Sequence, residues 1–447
     1  MRAGAVACAL CFATAFLVDV EPASAATVSV DSTRDSFGSP QGCSLREAVE
    51  SVNQGADFGG CAGRGAYGFY DLIELPRGTF RLTLRSSEGE TAADNSGGDL
   101  DLTGGDQVVI ASPAQEGAVI DAGGVDRVLE VANYNSLLLL QGVTVTGGRA
   151  ASEGGGILSR ADVVLLMSAV LDNRAGGKGG GIALVDVASD ATVINSTIAG
   201  NRAEGGGGGL ALLGSDNTVA DLSSATVVRN QAPTGGGILA LGGSVDLENT
   251  ILASNRGPAR AGPDCAGAGL LSFGGNLVGT TSGCRLRLRP ADILDPRPRV
   301  LAPARNGGPV PTAALGRRSP AIDSAKQGLC YELDARAAPR SRGGRCDIGA
   351  YERISCAGVL VDRVGSRRAD RLVGTNGPDG ILGLGGADRL IGRDGFDALC
   401  GGRGGDLLRG GSGRDRLLGG SGEDRCFGGE LTSSCERTRG RPGRASG

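Results

Sequence analysis

The chain has 447 residues, a formal net charge of −4, 81 glycines, no tryptophan and no histidine. Without histidine, a Ser/His/Asp triad, a Cys/His pair and any His-ligated metal site are excluded. The slight acidity gives no electrostatic signature for nucleic acid, and abundant glycine with 3% aromatics suits closely stacked turns better than a bulky core.

Residues 1–25 read as a secretory signal peptide: Arg2, an apolar run from Ala3 to Val18, and Ala23-Ser24-Ala25 as a cleavage site. That run is short for a membrane span and is followed by Asp19 and Glu21. With no other stretch of spanning length, the mature chain is expected to be extracellular, secreted or cell-surface associated. Ten cysteines remain after cleavage, at 43, 61, 265, 284, 330, 346, 356, 400, 426 and 435. An even count in an exported chain implies disulfides. Sequence does not determine their connectivity; pairing neighbours gives 43–61, 265–284, 330–346 and 426–435 and leaves 356–400. Each short loop so closed is worth about 3 kcal/mol. No pair has C-x-x-C spacing, so zinc is not expected.

Residues 26–97 form the expected N-terminal cap. A strand at 27–30 precedes a helix in Cys43-Ser44-Leu45-Arg46-Glu47-Ala48-Val49-Glu50-Ser51-Val52-Asn53. Ser44 and Glu47 have capping-box spacing, and Leu45, Ala48, Val49 and Val52 share one face. Such a helix can cover the open first rung of a solenoid. The run Cys43 to Ala48 resembles the signature of exported bacterial proteins named for a CSLREA domain. The similarity continues through Asp71-Leu72-Ile73-Glu74-Leu75-Pro76-Arg77-Gly78-Thr79-Phe80 and Gly98-Asp99-Leu100-Asp101-Leu102-Thr103. The resemblance implies a following right-handed parallel β-helix and no defined reaction.

Residues 98–260 carry the rungs. Glycine clusters end at Gly156, Gly181, Gly209 and Gly237, each followed by Ile157, Ile182, Leu210 or Ile238, and Asn173, Asn201, Asn230 and Asn255 recur in step. The glycine steps are 25, 28 and 28 residues, a solenoid period. Short Val- and Ile-rich runs such as 163–166, 191–194 and 244–247 read as strands. Three short strands per coil make a right-handed, pectate-lyase-like parallel β-helix with rungs about 4.8 Å apart. Stacked asparagines then form an amide ladder, a structural role.

Residues 261–355 break this rhythm and read as closing rungs and a C-terminal cap, clipped by Cys330 and Cys346. The stretches Asn306-Gly307-Gly308-Pro309, Ser319-Pro320-Ala321-Ile322-Asp323 and Cys346-Asp347-Ile348-Gly349-Ala350-Tyr351-Glu352 resemble the "choice-of-anchor" segment of such β-helices. Asp323, Asp347 and Glu352 are read as turn and capping residues.

In residues 356–430 the period becomes nine. Asp370, Asp379, Asp388, Asp397, Asp406, Asp415 and Asp424 recur at that step, each followed two positions on by Leu372, Ile381, Leu390, Leu399, Leu408, Leu417 or Cys426. Glycine stands five residues before each aspartate and two before six of them, Arg368 being the exception. This is the G-G-x-G-x-D-x-U-x nonapeptide of calcium-binding RTX β-rolls. Two nonapeptides complete one coil, so Asp370, Asp388, Asp406 and Asp424 stack on one edge and Asp379, Asp397 and Asp415 on the other. With glycine carbonyls they can hold Ca²⁺ in at most about five gaps, and binding then drives folding. Arg371, Arg389, Arg416 and Arg425 follow four of the aspartates and weaken the field that attracts the ion. Residues 431–447 read as a basic, disordered tail.

These features favour a secreted or surface-associated, non-enzymatic calcium-binding protein engaged in surface association or adhesion. Its partner would be a cell-surface or matrix polysaccharide or protein. The alternative is an extracellular polysaccharide lyase or glycoside hydrolase on a β-helix. Asp162, Asp186, Asp190, Asp216, Asp221 and Asp246 read as scattered rather than recurring on successive rungs, which speaks against it.

Overall fold

The computed structural model describes residues 25–438 except 69, 87–94, 105–106, 114–116, 187–188, 329, 341–344 and 436. Nearly all of the expected signal peptide and the end of the basic tail lie outside these residues. Within them the protein is all-β, built mainly from stacked parallel sheets, with antiparallel pairing of 27–28 with 63–64, of 300–304 with 312–315 and of 355–356 with 359–360, one α-helix and one short 3₁₀ turn.

Three long sheets of ten, nine and seven strands form a parallel β-helix. The sequence repeat is the register: Ile157 stacks on Ile182, Ile182 on Leu210 and Leu210 on Ile238. On the first sheet Val163 stacks on Ala191, Ala191 on Ala220 and Ala220 on Val245. All of these are buried and point into one continuous core. Between the second and third sheets runs the asparagine ladder. The side-chain amide of Asn173 donates to Asn201, Asn201 to Asn230 and Asn230 to Asn255, each at 3.0 Å. Asn255 in turn donates to Asp264 at 3.0 Å. Asp264 thus ends the ladder, and burial pushes its carboxyl up to about 6.

The helix α1 (Leu45–Gln54) has the Ser44–Glu47 capping box, and Leu45, Ala48, Val49 and Val52 are buried in the core. Arg46, on another side of α1, is buried too. It pairs with Asp35 at 2.7 Å and donates to the carbonyls of Asn95, Gly97, Gly98 and Asp99. It thereby fastens the helix to the chain leading into the first strand of the third sheet.

The stretch 261–355 divides. Cys265–Gly267, Leu270–Gly274 and Leu277–Val278 continue the three sheets, and Ile293–Leu294 closes the second. From Val300 onward the chain continues with a two-stranded antiparallel sheet, Val300–Ala304 and Thr312–Leu315. It lies along the side of the second sheet: Val300, Val310, Ala313, Ala314, Leu315, Ile348 and Tyr351 pack on Ala169, Leu171, Ala199, Val228, Ile251 and Ala253. That outward face is small and apolar and requires cover. Arg336, fully buried, sits 4.0 Å over the Tyr351 ring and pairs with Asp334. Five disulfides join 43–61, 265–284, 330–346, 356–400 and 426–435, the neighbour pairing.

The C-terminal unit is a roll of two five-stranded parallel sheets visited alternately. Its core is a single file of Ile381, Leu390, Leu399, Leu408, Leu417 and Cys426, one residue per nonapeptide. Each sheet takes a further strand beyond residue 430, Leu431–Ser433 and Arg437–Thr438. Leu382, Leu384, Cys400 and Leu418 pack against Ala338, Cys356 and Val361, and the 356–400 bridge staples this contact.

Candidate metal centre

Alternation between the two sheets places one aspartate turn above another at every eighteenth residue. Along one edge the Asp388 Oδ1 accepts from the backbone N–H of Asp370, Asp406 from Asp388 and Asp424 from Asp406, each at 2.8 Å. Along the other, Asp397 accepts from Asp379 at 2.9 Å and Asp415 from Asp397 at 3.1 Å. One oxygen of five of the carboxylates is thus committed to the ladder, which fixes the direction of Oδ2, while Asp370 and Asp379, first on each edge, enter it only through their backbone N–H.

That second oxygen divides the seven aspartates. In Asp388, Asp397, Asp406, Asp415 and Asp424, Oδ2 is buried and has no hydrogen-bond partner. In Asp370 and Asp379 it is capped: Ser366 donates through N and Oγ to Asp370, and Thr375 through N and Oγ1 to Asp379. Burial pushes Asp388 up to about 7 and Asp397 and Asp406 to about 6, and raises Asp415. Neighbouring aspartates add to the first three, and the backbone N–H bonds oppose the rise.

Each Oδ2 faces a carbonyl across the space of a missing side chain. The point a Cβ would occupy on Gly374 lies 2.5 Å from the Gly392 oxygen and 2.6 Å from the Asp379 Oδ2. The same carboxylate–carbonyl pairing recurs at Gly383, Gly392, Gly401, Gly410 and Gly419. Bare oxygens converging without a donor suit a hard cation. Two residues before the aspartates, Gly395, Gly413 and Gly422 have φ of 131°, 129° and 129°, a conformation that a side chain disfavours. The donor set therefore fits calcium.

Arg371, Arg389 and Arg425 point to solvent. Arg416 instead donates to the Ala357 carbonyl at 2.5 Å and lies 5.2 Å over Phe396. Sequence reasoning missed Asp362. Its Oδ1 is buried without a partner, burial and then Asp379 push it up to about 6, and its backbone N–H donates to the Gly380 carbonyl next to Asp379. An 18-residue step back from Asp379 lands at 361, one residue away, which was the available signal.

Elsewhere carboxylates do meet. Asp221 is the register partner of Asp246, which corrects the reading that none recur on successive rungs. The 25-residue step between them equals that from Asn230 to Asn255. Burial raises both, Asp190 adding to Asp221 and Asp221 to Asp246. Asp99, Asp101 and Glu130 bring ligand atoms within 4.8 Å of one another, but they are buried and Arg127 bonds Asp99 and Glu130. Asp347 and Glu352 are buried in turn hydrogen bonds: Asp347 accepts from Asp323 N, and Glu352 from Asp347 N and Arg340.

The profile of the family described as RTX calcium-binding nonapeptide repeat, in four copies, matches residues 364–399 and 401–430. The C-terminal region therefore carries RTX calcium-binding repeats. Among solved structures, the crystal structure of pectate lyase Pel9A is similar at 15% identity and a TM-score of 0.36, over 71% of this chain and 96% of that one. A search of curated proteins finds no match.

Proposed function

We propose that this is an exported, non-enzymatic calcium-binding protein acting in surface association or adhesion, with the roll as its calcium-gated module. Asp370, Asp379, Asp388, Asp397, Asp406, Asp415 and Asp424 hold Ca²⁺ with the glycine carbonyls, one ion per gap between successive aspartates on an edge. The bound charge offsets carboxylates that are costly to ionise when buried, so metal binding contributes directly to folding of a roll with a single-file core. The observation that carries this reading is the set of five buried Oδ2 atoms without a donor. Five disulfides and calcium-binding repeats favour an extracellular setting. The capped helix α1 at residues 45–54 supports the CSLREA-type reading. Among the described residues no helix is long and apolar enough to cross a membrane.

The test is a calcium titration of the full chain, starting in chelator, followed by protease resistance of residues 356–438. Resistance should appear with calcium and fail in Asp388→Ala/Asp406→Ala. A roll that resists protease equally in chelator sinks the calcium-gating reading. The Asp221–Asp246 row favours a second reading, a polysaccharide lyase or hydrolase. Polysaccharide cleavage lost in Asp221→Asn/Asp246→Asn would establish it in place of the first.

A further inference from the structure

Beside the asparagine ladder a second column of like residues runs along the outside of the solenoid. Arg149 is the register partner of Arg174, Arg174 of Arg202, Arg202 of Gln231 and Gln231 of Arg256. All five are exposed. With rungs about 4.8 Å apart, four arginines stand in single file along roughly 19 Å of the axis. Glu204 pairs with Arg174 at 2.5 Å. Among the described residues Arg149, Arg202 and Arg256 have no side-chain hydrogen bond or ion pair. The column borders an open groove of about 520 Å³ lined in part by Arg202, Glu204, Gln231 and Pro258.

Folding does not require this column. Ala150, Ala175, Ala203 and Ala232, the next residue in each turn, are buried and secure the packing. The outward position tolerates a neutral residue, as Gln231 demonstrates. Like charges stacked in register are destabilising; the single carboxylate of Glu204 is shared by Arg174, Arg202 and Arg149, so the row keeps a surplus of positive charge that points to a ligand.

We propose that the row binds an extended acidic polysaccharide, whose carboxylate or sulfate groups meet successive guanidinium groups along the axis. Guanidinium forms bidentate pairs with such oxyanions, and an extended uronic-acid chain repeats its charge at a step close to one rung. A single file fits one polymer strand rather than a flat anionic membrane. The row has no aromatic residue on which bases could stack, as single-stranded nucleic acid binding requires. This assignment names the partner class that the surface-association reading leaves open. It rests on that reading for its context, but on the solenoid and not the roll for its binding.

The full-length protein in millimolar calcium is titrated with polygalacturonate, chondroitin sulfate, neutral dextran and single-stranded DNA. Binding to either acidic glycan and not to dextran is expected, weakening as salt rises. Arg149→Gln/Arg202→Gln/Arg256→Gln should weaken it roughly tenfold or more and each single substitution about two- to threefold, with the circular dichroism spectrum unchanged. Asp388→Ala/Asp406→Ala, which disables the roll, should leave glycan affinity intact. Unaltered affinity in the triple variant overturns the proposal, as does tighter binding of DNA than of either glycan. Glycan binding lost in the roll variant alone would likewise overturn it, assigning the contact to calcium.

Discussion

Asp406→Asn separates the two energetic roles assigned to the roll's carboxylates. Asp406 lies between Asp388 and Asp424 on its edge and so borders two gaps, whereas Asp415 ends its edge and borders one. Asparagine keeps Oδ1, which accepts from Asp388 N at 2.8 Å. It replaces the buried, donor-less Oδ2 with an amide that can donate to the nearby Gly419 carbonyl. Without calcium, relieving one unsatisfied buried group should stabilise the roll by about 1–3 kcal/mol. With calcium at about a hundred times its dissociation constant, each ion contributes about 2.7 kcal/mol, so losing two should cost about 5 kcal/mol. Asp415→Asn should lose one ion and cost about 3 kcal/mol. Calorimetric stoichiometry and thermal melts of the full chain, with calcium and with chelator, read both quantities. If both variants lose the same number of ions, or if Asp406→Asn is less stable than wild type in chelator, the gap-based reasoning fails.

Acidity should act on the roll in opposite senses with and without metal. Asp388 at about 7 and Asp397 and Asp406 at about 6 lie above the ordinary 3.8 in the metal-free fold. Their contribution to metal-free stability is therefore full below about pH 4 and lost as pH rises through 6–7. Calcium must displace those protons, so its affinity should fall between about pH 7 and 5, which a titration series at stepped pH measures. In the β-helix, Asn201→Ala removes donations to Asn230 and Val170, leaves the Asn173 backbone N–H without its acceptor and leaves the Asn173 side-chain amide only its bond to the Val145 carbonyl. Four bonds at about 1 kcal/mol each predict a loss of about 4 kcal/mol in denaturant melts, and a loss under about 1 kcal/mol would contradict the ladder's role. Arg393 has φ 88° where its register partner Gly411 has 117°. Arg393→Gly should raise the roll's melting stability by about 1 kcal/mol; a decrease would show that no strain is held there.

The repetitive parts of this protein were legible because a solenoid converts sequence spacing directly into stacking. One period is one coil, so Asn173, Asn201, Asn230 and Asn255 had to meet once the coil was recognised. The apolar position two after each aspartate likewise had to become the roll's core. The same arithmetic would have exposed Asp221 beneath Asp246, whose step is masked by unequal loops in the other rungs. What spacing cannot reach are contacts made once. Ser366 and Thr375 cap the first two aspartates of the roll through backbone N–H and hydroxyl, while the next five, with positive φ at the equivalent position, keep a bare oxygen. The burial of Arg46 likewise depends on Asp35 and four carbonyls that converge on it from elsewhere in the chain.

Composition, period and residue type together determined an all-β chain, two repeat architectures, their register and the edges on which the aspartates stack. Each of these follows from a backbone that returns to the same place after a set number of residues. The lateral docking of residues 300–352, the termination of the asparagine ladder on Asp264 and the seating of the roll against Cys356 and Val361 were decided in three dimensions. They depend on which apolar faces and unpaired groups remain exposed once the coils have formed, and residues distant in sequence supply the cover.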